Sequence, residues 1–280
     1  MSIRAGGIDW IDRWRQMQEA AEAASAGHEP AHGEDRWQRR AARFDRVSRG
    51  RRDESLELIA AGVLPSDVVA DLGAGVGRHA VPVSRRCARV IAVEPSAAMR
   101  ARMQARVEEE GASSVEIVAA AWPCSLPVVD VSFSVHVLYA VPDAAGFVEA
   151  MARVTRRSCV LVLGLRAPAD GLAGLWQELH GRARPPRPAA LEALALLHQL
   201  GHRASLRVVP SSERLLEFSP NDEDLNDLCH RLGVEPDEPG RSRVRAALDR
   251  LYTRETGGAW VLGASGPNAI LEWPGRAGDP

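Results

Sequence analysis

The chain has 280 residues, 45% of them apolar, enough for one full core or for one domain carrying a large insertion. Its formal net charge of −2 supplies no general attraction for nucleic acid or an anionic membrane. All 35 cationic residues are arginine, which excludes a lysine Schiff base and the lysine of a phosphate-binding P-loop.

The opening MSIRAGGIDW has no apolar signal core, and no apolar run approaches the roughly 18 residues that span a bilayer. A soluble, cytoplasmic protein without a membrane partner is expected. Cys87, Cys124, Cys159 and Cys229 are scattered, without a CxxC pair or a His at ligand spacing, so reduced thiols are expected and no metal site is assigned. Trp10, Trp14, Met17 and Ala21 recur at helical spacing, and SAGHEPAHGED (25–35) then breaks the pattern. Trp37, Ala41, Phe44 and Val47 repeat the stripe, flanked by eight arginines between Arg36 and Arg52. This arginine run is read as a solvated helix face, and residues 1–52 as a helical lid segment.

From residue 53 to 165, helices alternate with short β-branched runs: strands at 67–72, 89–93, 115–119, 129–135 and 158–164, with helices at 77–86, 96–110 and 143–156 between them. Near-continuous apolar strands joined by crossover helices predict a doubly wound, Rossmann-like α/β core with a parallel sheet covered on both faces. Residues 166–203 exceed an ordinary crossover and are read as a helical insertion at the ligand-binding end of the sheet. Within 204–280, a strand (204–209) precedes a helix started by Ser219, Pro220 and the acids Asp222, Glu223 and Asp224, which is expected to stop at Gly233. A helix at 241–252 follows, and AWVLGASGPNAILEW is expected to form an antiparallel hairpin that closes a seven-stranded sheet.

The stretch VVADLGAGVGRHA (68–80) carries the chemistry. Its order is acid-x-Gly-x-Gly-x-Gly, distinct from the G-x-G-x-x-G of a dinucleotide loop. Gly73, Gly75 and Gly77, with Ala74 between them, let the backbone turn sharply and approach a ligand, whereas the Asp71 carboxylate repels phosphate and demands a cation or a donor. A ligand bearing both an ammonium and a carboxylate, such as the methionine end of S-adenosylmethionine, satisfies both. The next strand runs VIAVEPSAAM, ending on Glu94, whose carboxylate can accept both hydroxyls of a ribose; Pro95 follows, and Ser96 caps a helix. Met99 is open to two readings, adenine wall or core.

On these residues the chain resembles the class I S-adenosylmethionine-dependent methyltransferases, over about residues 54–165 by motif and again at its last strands. The resemblance implies S-adenosylmethionine as cofactor and S-adenosylhomocysteine as product, with Gly73, Gly75 and Gly77 at the methionine end and Glu94 on the ribose. It places Ala121 and Trp122 beside the adenine. Many members have an Asp at the position of Ala121; here adenine recognition would rest on backbone and apolar contact. In SFSVHVLYAVPD, Val135, His136 and Tyr139 lie at the tip of the fourth strand, where the transferred methyl points in this family. His136 is then a candidate base, or a structurally hydrogen-bonded ring, and Tyr139 a catalytic neighbour or helix packing.

Trp176, His180, Arg182 and Arg184 in the insertion are candidates for a substrate wall, with Arg182 or Arg184 on a substrate carboxylate. A small-molecule acceptor is expected. The alternatives are an RNA or protein methyltransferase, and a non-catalytic cofactor-binding subunit. Against nucleic acid stand the near-neutral charge and the absence of an Asn/Asp-Pro-Pro-Tyr/Phe tetrapeptide after the fourth strand. Monomer and homodimer both remain open.

Overall fold

In the computed structural model of the chain, residues 7–25, 37–38, 40–48, 54–211, 216–262 and 266–278 are described. The break at 26–35 and the Val47 side chain of the second apolar stripe lie outside them. The helices are α1 (Trp10–Ser25), α2 (Ala41–Ser48), α3 (Glu54–Ala61), α4 (Ala80–Val83), α5 (Ala97–Glu110), α6 (Ala144–Val154), α7 (Ala173–His180), α8 (Ala190–Gln199), α9 (Asp222–Leu232) and α10 (Glu238–Leu251). The strands are β1 (Val68–Leu72), β2 (Arg89–Val93), β3 (Val115–Val118), β4 (Val129–Val135), β5 (Thr155–Gly164), β6 (Ser205–Val209), β7 (Glu217–Phe218), β8 (Trp260–Val261) and β9 (Asn268–Pro274).

The main sheet has seven strands in the order β3-β2-β1-β4-β5-β9-β6. The first five run parallel, and β9 lies antiparallel between β5 and β6. The doubly wound α/β expectation is met, since the apolar runs of β1 and β2 are buried on both faces. The expected closing hairpin is corrected. Its first arm, Trp260–Val261, pairs with Glu217–Phe218 in a separate two-stranded sheet, while its second arm is β9. Antiparallel closure is instead made by β6 and β9, which are far apart in sequence.

Between β6 and β9 the chain leaves the sheet and builds a unit of its own. Leu175, Trp176, Leu225, Leu228, Val244, Leu248 and Trp260 bury one another there, apart from the two clusters that cover the sheet. The insertion is therefore divided: α7 joins α9 and α10 in this unit, whereas Ala190, Ala193, Leu196 and Leu197 of α8 pack on the sheet core. A helix goes wherever its apolar stripe finds a partner, and α7 finds Trp260 and α10.

Local signals hold with one shift. Ser96 caps α5 by accepting from Met99 N–H, and Gly111 and Gly233 end α5 and α9 in the left-handed conformation. The cap of α9 is Asn221 and not Ser219, because Asn221 Oδ1 accepts from Asp224 N–H at 2.8 Å. In α1, Trp14 is buried and donates Nε1–H to Val141 O at 3.0 Å, and Gln18 donates to Tyr139 O at 2.7 Å. These bonds fix the turn that follows β4, although it lies more than a hundred residues away in sequence.

Candidate functional site

The parallel strands β1, β2 and β4 all end on one side of the sheet. The order β2-β1-β4 makes the gap beyond β1 a topological switch point, where folds of this kind bind ligands. Beyond β1 the chain turns through Gly73, Gly75 and Gly77, with φ of 86°, 56° and 76°. Glycine adopts such angles at no steric cost, and of the other residues chiefly asparagine and aspartate tolerate them. The N–H groups of Gly73 and Ala74 both donate to Val93 O, at 2.8 and 3.0 Å, which ties the turn to the end of β2.

Space around each glycine separates its role. A Cβ at Gly73 would lie 2.4 Å from Val137 Cγ2, and one at Gly77 would lie 2.8 Å from Met103 Cγ. Those two glycines let the turn pack against the 136–139 segment and against α5. A Cβ at Gly75 would meet nothing within 4 Å, so Gly75 lines a cradle that a ligand can fill.

Asp71 is 2% exposed, beneath the turn and not on its open face. A backbone hydrogen bond from Ala80 reaches it, and its Oδ2 makes no hydrogen bond. Burial first, then the charge of Glu94, hold its carboxyl well above the ordinary carboxylate range, against the pull of Ala80 N–H. An unsatisfied buried carboxyl oxygen next to an open glycine cradle fits a ligand that brings a cation. Glu94, 5% exposed, accepts from Gly75 N–H through Oε2 and from Ser96 N–H through Oε1, each at 2.8 Å. Two fixed backbone donors thus aim this carboxylate at the end of β2, where a diol would approach it.

The remaining expected cofactor residues are more dispersed. Pro95 is exposed beside Glu94, and its carbonyl accepts from Arg100 at 2.6 Å. Met99 is buried with Ala41 and Val76, which favours the core reading over the adenine wall. Ala121 is exposed, and Trp122 is half-buried, donating Nε1–H to Phe147 O at 3.2 Å and meeting the Phe147 ring edge-on. The indole is therefore oriented by α6.

Val135 and His136 are half-buried at the end of β4. His136 has φ of 58°, the one positive value outside glycine among the described residues, and its N–H donates to Val162 O at 2.9 Å. A non-glycine residue held in the left-handed region is uncommon, and such residues gather at functional sites. Its Nδ1 lies 3.2 Å from Tyr139 Oη, and the two rings stack with 14° between their planes. Tyr139 Oη also accepts the Gly164 N–H at the end of β5. Because Val137 abuts Gly73, the segment carrying His136 touches the glycine turn directly.

Of the four residues expected to wall a substrate pocket, Trp176 and His180 pack within the helical unit, and the two arginines lie near the Trp176 ring at its edge. Trp176 is fully buried, its ring centre 4.3 Å from that of His180 with 36° between the planes, and His180 Nε2 lies 2.7 Å from Leu232 O. Arg182 is exposed and donates to Ala24 O, and the half-buried Arg184 lies 5.0 Å from the Trp176 ring centre. Trp176 and His180 are thereby corrected from an open wall to a packed pair.

Sequence reading missed the contact between α2 and α9. Arg43 is 2% exposed, which corrects the solvated-face reading at that residue, and Arg40 binds Asp227 at 2.7 Å; Arg36, Arg39, Arg49, Arg51 and Arg52 lie outside the described residues. Asp224 is also buried, bound by Arg46 and by Ser219 N–H, so it does more than complement the helix dipole. A signal was present in the i, i+3 spacing of Arg40, Arg43 and Arg46, which puts these arginines on one face of α2.

Residues 70–163 match the model of a family described as a methyltransferase domain. No curated protein sequence matches the chain. Among solved structures, a putative methyltransferase from Bacillus halodurans is similar at a TM-score of 0.54 and 16% identity, covering 79% of this chain and 96% of that one. The YcgJ protein from Bacillus subtilis gives 0.53 and 15%, covering 80% and 99%. The magnesium protoporphyrin IX methyltransferase of Synechocystis with bound S-adenosylhomocysteine gives 0.50 and 16%, covering 95% and 97%.

Proposed function

We propose that residues 70–163, which match a methyltransferase-domain model, form a class I S-adenosylmethionine-dependent methyltransferase domain, and that the chain methylates a small-molecule acceptor with His136 as the proton acceptor. The observation that carries the catalytic part is the left-handed His136, bonded to Tyr139 and joined through Val137 to the glycine turn. Two observations favour a small acceptor: the near-neutral charge, and the likeness in fold to a protein named for a porphyrin substrate. No helix among the described residues is long and apolar enough to cross a membrane.

The residues present fit the cofactor. Gly73, Ala74 and Gly75 would hold its methionine end above Asp71, and Glu94 would accept from its ribose. The cofactor supplies an activated methyl group on a sulfonium. The protein's remaining tasks are to align the acceptor in line with that methyl and to take up a proton where the acceptor has one. His136 accepts that proton at Nε2 in the tautomer whose Nδ1–H donates to Tyr139 Oη. Tyr139, pinned by Gly164 N–H and by Gln18 on its own carbonyl, orients the ring. Asp71 would answer the cationic end of the cofactor, and Trp122, held by Phe147, would flank the adenine side.

Calorimetry of the full chain with S-adenosylhomocysteine and with NAD tests the cofactor half of the proposal: the first binds and the second does not. Screening small acids, phenols and amines for release of S-adenosylhomocysteine tests the acceptor half. Turnover on RNA or protein but on no small molecule would overturn it.

A further inference from the structure

Outside the glycine turn, Arg43, Asp224 and Asp227 are buried where α2 meets α9. Arg43 donates Nε–H and Nη2–H to Glu217 O at 3.2 and 3.0 Å, and its guanidinium carbon lies 4.5 Å from the centre of the Phe218 ring. Arg231 of α9 lies 5.5 Å from the same ring, with its side chain only 14% exposed. Two guanidiniums thus lie against one aromatic ring, an arrangement that like charges tolerate only with a counter-charge close by.

The acids on hand are partly committed, and Asp227 Oδ2 is buried without a hydrogen bond. Asp227 gives Oδ1 to Arg40 Nε at 2.7 Å, and its Oδ2 lies 3.8 Å from Arg231 Nη1, beyond hydrogen-bond distance. That is the one ion-pair contact of Arg231 among the described residues. Asp224 is held by Arg46 at 3.1 Å and by Ser219 N–H at 2.7 Å. Burial, and beyond it the charges of Arg40, Arg43 and Arg184, push Arg231 down to about 9 against the opposing pull of Asp227. Burial likewise lowers Arg43. Arg43 already donates to Glu217 O, whereas Arg231 lacks a hydrogen-bonded carboxylate among the described residues, a cost that a ligand would relieve.

Position links this cluster to the cofactor end. Helix α2 is eight residues long and works on two faces. Ala41 packs with Val76 of the glycine turn and with Met99, while Arg40 and Arg43 reach α9 and β7. The cluster therefore lies across α2 from the glycine turn.

We propose that Arg40, Arg43, Arg184 and Arg231 form the subsite for an acid group of the methyl acceptor, a carboxylate or a phosphate ester. This rests on the small-molecule reading above. Guanidinium forks match both oxyanions through paired N–H bonds, and Asp227 keeps Arg40 turned into the site. The class of acceptor is then a small organic acid.

The test titrates the full chain with sodium phosphate and with sodium succinate against sodium chloride at matched ionic strength, following thermal midpoint and calorimetric heat. A saturable rise beyond that of chloride is expected, stronger with phosphate if the natural acid is a phosphate ester and with succinate if it is a carboxylate. Arg231→Gln should weaken the better anion roughly tenfold or more, the scale of one charge-assisted hydrogen bond. If that variant does not fold, Arg184→Gln, altered in a half-buried loop, reads the same loss. No saturable shift with either anion, or an undiminished shift in the variant that folds, overturns the subsite. The same samples are titrated with S-adenosylhomocysteine. Cofactor binding without anion saturation overturns the subsite alone, and anion saturation without cofactor binding overturns the methyl-acceptor role.

Discussion

The glycine turn and the arginine cluster lie on opposite faces of α2 and are built in opposite ways. The turn is made of backbone: three positive-φ glycines within 73–77, two N–H bonds to Val93 O, and a carboxylate aimed by two more N–H groups. The cluster is made of long side chains from α2, α9 and the loop after α7, brought together across nearly two hundred residues. A backbone site is set in shape before any ligand arrives. A side-chain site depends on the packing of every helix that carries it.

His136 belongs to the first kind, since its backbone angle places its ring, and altering it should have the largest effect. His136→Ala should lower turnover by roughly 10²- to 10⁴-fold, with S-adenosylhomocysteine affinity unchanged. His136→Gln distinguishes proton transfer from positioning: a glutamine variant with near-normal turnover would remove the base role. The next effect is at Glu94. Glu94→Ala should cost about 1.5–3 kcal/mol of cofactor binding, the usual range for hydrogen bonds to a charged group, measured by calorimetry. An unchanged dissociation constant would detach Glu94 from the ligand and leave it as a clamp on Gly75 N–H.

Gly73→Ala sharpens the contrast within the turn itself. The added methyl meets Val137 and the angle is left-handed, so the variant should lose about 1–3 kcal/mol of stability in denaturant unfolding. Undiminished stability would show that Val137 and His136 move freely against the turn.

Legibility followed the same division. The acid-x-Gly-x-Gly-x-Gly order, Glu94 on the next strand and the alternation of elements up to Gly164 are local signals, and each points to an element the structure contains. The sheet's closing strands were misjudged because the AWVLG run and the AILEW run are neighbours in sequence but pair with different partners. A Gly-Pro turn between apolar runs indicates a reversal, not which strand will be met. Trp176 and His180 were placed at an open wall because no pattern in α7 alone reveals that Trp260 and α10 cover it. Arg43 looked solvated because the acids and the aromatic ring that bury it come from residues 217–231.

The smallest effect is a dependence on pH. The Asp71 carboxyl is raised in the folded chain by burial and by Glu94, so the folded form binds more protons than the unfolded one above an ordinary aspartate pKa of about 3.9. Its contribution is fully present below that pH and is lost as pH rises through the folded value. Asp71→Asn keeps the shape and removes the titration. The thermal midpoint of the variant, relative to the unliganded wild type, should therefore rise between pH 4 and pH 8. A constant difference across that span would place the Asp71 proton elsewhere.

The claim that the glycine turn is the cofactor cradle is tested most directly by titrating S-adenosylhomocysteine into the wild type and into Gly75→Asn. Asparagine tolerates the left-handed angle, and its Cβ would meet no protein atom within 4 Å, so the fold should be retained while the cradle is filled. The wild type should bind with one-to-one stoichiometry, and the folded variant should lose roughly tenfold or more in affinity, the equivalent of about 1.4 kcal/mol. Equal binding by both proteins would contradict the claim and move the cofactor off the turn.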